Sequence, residues 1–259
     1  MKQKYLQAFS WLWNYFFRIP IPFLPAVNAK YIPQLARPML PATGAFAGFL
    51  IYLIYLLLRY VCGNTAAILF FTLMGAFLLD YTRKFRGFNL FCAWCLLRFQ
   101  KRTPEDALDF SQKTDWKEKE LTEQLLPFTV YLLRGILFAI LAWHFSAVWI
   151  IFVLTGSFLV MAELTTLQDE RTWNELIPTP ESCTMQHWFI AGAILLLFGI
   201  LTLHPGGAIA TFLIAWALTK YAKSMHNNLD GVITFKQLDY WGYFTEMILL
   251  LAGALLASH

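Results

Sequence analysis

The chain has 259 residues, of which 58% are hydrophobic and 14% charged, with a net charge of +4 and a mean hydropathy of +0.53. Soluble domains carry about 25% charged residues, so the composition excludes an ordinary water-soluble domain and predicts an integral membrane protein. The small positive balance does not call for a nucleic-acid partner, and none is expected.

Residues 5–17 read as a helix lying in the membrane interface. Trp11, Trp13, Tyr15, Phe16 and Phe17 suit the headgroup boundary, and Pro20 and Pro22 stop the helix. Trp11, Trp13, Asn14 and Arg18 break any smooth apolar stretch of the kind a cleaved signal peptide needs, so none is expected here.

Seven apolar runs follow, at 41–58, 65–79, 125–143, 145–162, 188–203, 208–221 and 240–257. A hydrocarbon core of about 30 Å asks for helices of this kind. The expected class is therefore all-α: a polytopic helical bundle of about seven transmembrane helices in a single domain over 1–259. The runs at 65–79 and 208–221 are short for a full crossing, which tilt or burial against neighbours would accommodate.

Between the second and third runs lies a polar insertion, 80–124. It opens with Arg83, Lys84 and Arg86 and passes through an apolar aromatic stretch at 88–99. Thr103 as N-cap, Pro104 at the first helical position, and Glu105 and Asp106 in the first turn then mark a helix start. Cys92 and Cys95 have the C-x-x-C spacing, but no second pair accompanies them and Cys62 and Cys183 are distant, so packing is expected rather than metal binding.

Two ionisable residues fall inside predicted spans: Arg134 near the middle of 125–143, and Glu246 about two turns into 240–257. Groups of this kind are costly in lipid and usually face a partner or a wet cavity; Arg134 could snorkel to the interface, and a direct Arg134–Glu246 pair is the alternative. Ahead of the last run, His226, Asn227, Asn228, Asp230 and Gly231 read as a turn able to contact phosphate or a metal.

Orientation follows from Lys and Arg. All of them except Arg59 and Arg134 lie before residue 41 or in 80–124, 163–187 and 220–239, which seven spans place on one side. The positive-inside rule makes that side cytoplasmic and puts His259 outside.

Several stretches resemble the cobalamin synthases, the adenosylcobinamide-GDP ribazoletransferases. Phe9-Ser10-Trp11 through Phe17-Arg18-Ile19-Pro20-Ile21-Pro22 resembles that family's "F…TRIPIP" opening, and Met39 to Gly48 its first apolar span. Asn228-Leu229-Asp230 followed by Glu246 resembles its "TGD…E" stretch. Two stretches depart from the pattern. Arg83, Lys84 and Arg86 follow Asp80 where the family carries an acidic motif, and Asp115 is displaced from the later one.

The resemblance implies a Mg²⁺-assisted transfer at the cytoplasmic face of the inner membrane. It would join adenosylcobinamide-GDP to α-ribazole or its 5′-phosphate and release GMP. Its substrates would be a corrinoid nucleotide and a ribazole. Membrane lipid would surround it, with a second copy or other cobalamin-assembly enzymes as further partners.

On this basis Asp80, Asp115 and Asp230 are the candidate metal ligands. Arg18, Lys113, Lys223, Asn227 and Asn228 would hold substrate phosphate, and Glu246 or Asp109 would be the base near the attacking hydroxyl. Two alternatives stand beside this reading. One is a catalytically degenerate relative that binds corrinoid or organises a membrane complex; the other is a small-molecule transporter.

Overall fold

The computed structural model describes residues 2–17, 33–73, 121–144, 146–167, 185–228, 233 and 235–257. Within them the architecture is all-helical. The helices are α1 (Lys2–Phe17), α2 (Pro33–Cys62), α3 (Asn64–Leu73), α4 (Leu121–Trp143), α5 (Trp149–Leu164), α6 (Gln186–Leu201), α7 (Pro205–Asn228) and α8 (Phe235–Ala257). A 3₁₀ turn over Thr165–Leu167 closes α5, with the Thr165 hydroxyl donating to the Ala162 carbonyl at 2.7 Å.

Each predicted apolar run lies largely on a helix; residues 74–79 and 145 are outside the described residues, and 146–148 and 202–203 are non-helical residues flanking α5 and α6. Two helical stretches are long and apolar enough to cross a membrane, Ala36–Cys62 and Trp149–Leu167. The helix expected at 5–17 is present as α1. It packs on α2, and Trp13 meets Phe17 and Phe46 while Phe16 and Phe17 meet Phe158.

The bundle is organised around α5. Every residue of this helix except Glu163 is buried, and α2, α6, α7 and α8 all pack on it. A helix that is apolar on every side sits either in a protein core or in lipid, and α5 is enclosed by its neighbours. The closest approach is to α2, where Gly44 and Gly48 are one turn apart. A Cβ on Gly44 would sit 2.4 Å from the Leu154 carbonyl oxygen, and one on Gly48 2.7 Å from the Ile151 Cα. The pair is a G-x-x-x-G stripe that lets two backbones touch.

Polar side chains tie the helices where their backbones come near. The Trp149 indole donates to the Leu249 carbonyl at 2.8 Å, Ser157 to that of Gly242 at 2.8 Å, and Tyr55 to that of Ala142 at 3.2 Å.

The surface is apolar and several charges are inside. On α6 the buried face is His187, Ala191, Leu195 and Gly199, while Phe189, Leu196, Leu197, Ile200 and Leu201 are exposed. Arg134 and Glu246 are completely buried. Water would favour the opposite arrangement.

Among the boundaries that differ from the sequence expectation, two bear on the polar end of the bundle. The turn predicted at 226–228 is helical, since α7 continues to Asn228, and α8 begins at Phe235, ahead of residue 240. In both places packing extends the helix past its apolar run. Trp241 donates its indole N–H to His226 Nε2 at 2.9 Å, which locks the polar end of α7 against the polar start of α8.

Candidate functional site

The polar face of the bundle is built from helix ends. The start of α2, the end of α5, the start of α6 and the last turns of α7 meet there, and each brings one or two hydrogen-bonding side chains. Glu163 is the centre.

Four side chains from three other helices donate to its carboxylate. His187 Nε2 lies 2.5 Å from Oε2, Trp188 Nε1 2.9 Å from the same oxygen, and an Arg37 Nη 3.4 Å from it. Lys223 Nζ takes the other oxygen, Oε1. Arg37 is fixed further by its Nε–H, which donates to the Ala162 carbonyl at 3.0 Å.

The geometry follows from the sequence around it. Glu163 is the only acid in α5 and falls in its last turn, so it emerges where the helix leaves the apolar core. His187 and Trp188 are in the first turn of α6, adjacent in sequence, and reach the same carboxylate oxygen. Burial is graded across the cluster: His187 is fully buried, Arg37 nearly so, and the Lys223 side chain is 30% exposed. The cluster therefore opens outward on the Lys223 side. Among the described side chains of the cluster, two cations face one carboxylate.

Next to it, His226 is buried and accepts from Trp241. An indole nitrogen can only donate, so Nε2 is the bare nitrogen of this ring and Nδ1 bears the proton. Burial without a counter-charge pushes the His226 pKa down to about 4.

A second ionic centre lies within the bundle. Arg134 of α4 donates from Nε to Glu246 Oε1 of α8 at 3.0 Å, and an Nη contacts the same oxygen. Phe138 and Tyr243 flank the guanidinium, with ring centres 5.7 and 5.6 Å from Cζ. Of the two sequence alternatives for Arg134, the direct pair is present.

Of the residues proposed from the sequence, Lys223 and Glu246 have described side chains, and they belong to different ion pairs. Asn227 and Asn228 lie on the last turn of α7. Arg18, Asp80, Asp109, Lys113, Asp115 and Asp230 lie outside the described residues. Sequence reasoning did not single out Glu163, Arg37, His187 or Trp188. The signal available was an isolated charge or imidazole within a turn of an apolar run, repeated at three helix ends.

Among the described residues, no group of three or more His, Cys, Asp or Glu side chains could hold a metal ion. Mg²⁺ takes oxygen ligands in an octahedral shell, whereas Glu163 and Glu246 are already engaged by cations. Neither carboxylate is therefore open to Mg²⁺, and the candidate ligands Asp80, Asp115 and Asp230 lie outside the described residues. Comparison with protein-family models, curated proteins and solved structures gives no match.

Proposed function

We propose that this chain is a multi-pass protein of the cytoplasmic membrane that binds a phosphate-bearing substrate at the charged end of its bundle and transfers it as the cobalamin synthases do. The observation that carries this reading is the meeting of Arg37, His187 and Lys223 at one end of four helices. That end belongs to the Lys- and Arg-rich side, where the positive-inside rule puts the cytoplasm. Nucleotide substrates arrive from there. The apolar outer faces of α6 and the two long apolar helices support membrane embedding.

In this reading the seven apolar runs all cross the bilayer, and the short link at Thr202–His204 lies on the outer side. Lys223, the most exposed cation of the cluster, meets the substrate phosphate first, and Arg37 supplies fixed positive charge behind it. The bond that forms is from a ribazole hydroxyl to the phosphate of the activated cobinamide, with GMP as the leaving group.

The test is ligation by the full chain in lipid vesicles, with adenosylcobinamide-GDP, α-ribazole and Mg²⁺. Release of GMP together with a joined corrinoid product is expected. Absence of product above a heat-killed control, with substrates shown to be intact, overturns the reading.

A second reading rests on the engagement of Glu163 and Glu246 by cations, which leaves neither carboxylate open for chemistry. The chain would then bind the corrinoid nucleotide, or organise other enzymes at the membrane, without turnover. Saturable binding with no GMP release distinguishes this case.

A further inference from the structure

The hairpin of α6 and α7 carries a groove between its two helices. Its volume is about 250 Å³, and every residue lining it is apolar. Leu195 and Ala208 are buried and form the floor, while Leu196, Ile209 and Leu213 are more than half exposed and form the rim. Gly192 has no side chain to fill the gap between them, and Phe212 closes one wall, held edge-on against Trp188 at 5.2 Å. The helices touch near the link at Thr202–His204, where a Cβ on Gly199 would sit 2.9 Å from that of Ala208 and 3.4 Å from the Pro205 Cα.

From the groove a single stripe runs along α7 to a cation. Ile209, Leu213, Trp216 and Lys220 repeat at helical spacing and are all exposed. The Lys220 ammonium lies over the Trp216 ring, 6.0 Å from its centre, which keeps it on the stripe. Lys223 follows one turn later on the same side. Neither helix contains an acid, so no carboxylate of the hairpin competes for Lys220.

The dimensions match one leaflet of a bilayer. Ile209 and Lys220 are roughly 16 Å apart along the axis at about 1.5 Å per residue, and half of a hydrocarbon core of about 30 Å is about 15 Å. A chain lying in the groove has its polar end level with Trp216 and Lys220, the residue types that suit that depth. The volume is below the roughly 300–1,000 Å³ of sites that enclose a compact small molecule, and the exposed rim leaves the groove open along its side. A flexible chain tolerates both.

We propose that this groove holds one acyl chain of an anionic phospholipid, with the lipid phosphate paired to Lys220. An all-apolar slot with a cation one leaflet's depth away is the outline of a phospholipid, and the absence of acids on both helices favours a headgroup with net negative charge. The site shares no lining residue with the Glu163 cluster. It goes beyond the transfer reaction and asks only that the bundle lie in a bilayer, so a ligation assay without product leaves it standing.

The test is native mass spectrometry of the full chain in detergent, with phosphatidylglycerol or phosphatidylcholine of the same acyl chains added. One phosphatidylglycerol per chain is expected to be retained in preference to phosphatidylcholine. Lys220→Gln should lower that retention about fivefold, the scale of one lysine at an anionic membrane surface, and erase the preference. Gly192→Leu fills the groove and should lose the adduct with either lipid. Its melting temperature should stay near wild type, because the first added atom meets Phe212 at an ordinary 3.7 Å. Leu197→Phe, on the exposed face of α6 outside the groove, is the control and should retain lipid as wild type does.

A Gly192→Leu chain that keeps the adduct overturns the groove as the site, and so does an adduct lost equally from Leu197→Phe. Lys220→Gln does not depend on the leucine variant folding: unchanged retention there, or equal retention of the two lipids by wild type, overturns the phosphate pairing. A dimer of the chain that Gly192→Leu abolishes gives the groove to a second copy and overturns the lipid.

Discussion

Arg134 Nε donates to Glu246 Oε1 at 3.0 Å, and neither side chain has any exposure. The pair joins α4 to α8, and the rings of Phe138 and Tyr243 flank the guanidinium. Removing one member of a buried ion pair typically costs about 3–5 kcal/mol, whereas replacing both with apolar residues is often neutral. Arg134→Met and Glu246→Gln should each lower the melting temperature in detergent sharply. The double Met/Leu replacement should recover most of the loss, and the charge-swapped double mutant should melt above either single swap. Equal melting of single and double variants would show that the two residues do not act as a pair.

Glu163 joins four helices through one carboxylate, so its removal affects more partners than the removal of any one donor. Glu163→Ala removes the one acceptor that Arg37, His187, Trp188 and Lys223 share. Lys223→Ala removes a partly exposed donor and leaves the others in place. The expected order of destabilisation is Glu163→Ala, then Arg37→Ala, then Lys223→Ala, with the last at about 1 kcal/mol or less because solvent screens it. Thermal melting of the three variants in one detergent checks the order. Lys223→Ala as the most damaging change would contradict it.

How far the sequence reaches is visible in these same residues. Apolar run length located α5 and α8, and the rarity of charge inside such runs singled out Arg134 and Glu246, because burying a charge in an apolar span forces a partner on it. Glu163 gave no comparable signal. It lies one turn from a polar segment, where a lone acid is unremarkable, and its partners are 24 to 126 residues away in sequence. Periodicity carries no information about which helix ends converge. The polar end of α7 was missed for a related reason: His226 and Asn228 have weak helical preference, and the Trp241 hydrogen bond across to α8 offsets it.

His226 gives a pH dependence whose direction is set by burial. Its pKa is about 4 in the folded protein against an ordinary value of 6.5. Between these values the unfolded chain takes up a proton that the folded chain does not, so stability falls as pH drops from about 6.5 toward 4 and levels below it. His226→Gln retains an acceptor for the Trp241 indole and does not titrate. Denaturant unfolding of both proteins from pH 4 to 7 should give a steeper acid loss for wild type. Parallel curves would mean that His226 is protonated equally in both states.

The packing of α2 on α5 turns on two hydrogens. At Gly44 an added Cβ would fall within 3 Å of both the Leu154 carbonyl oxygen and the Phe158 ring. At Gly48 it would meet the Ile151 backbone itself, and backbone cannot rotate aside as a side chain can. Gly48→Ala must therefore push the helices apart along the stripe where α5 is most tightly enclosed. Overpacking of this kind costs about 1–3 kcal/mol, and a larger residue costs more. Gly135 of α4 is the internal control, because its nearest neighbour to a new Cβ, the Thr72 methyl, is at an ordinary 3.7 Å. Gly135→Ala should be neutral or stabilising through helix propensity. Gly48→Ala should melt several degrees lower and loosen the Arg37–Glu163 contact at the end of the same helix pair. If Gly48→Ala and Gly135→Ala melted alike, α2 and α5 would not be in backbone contact.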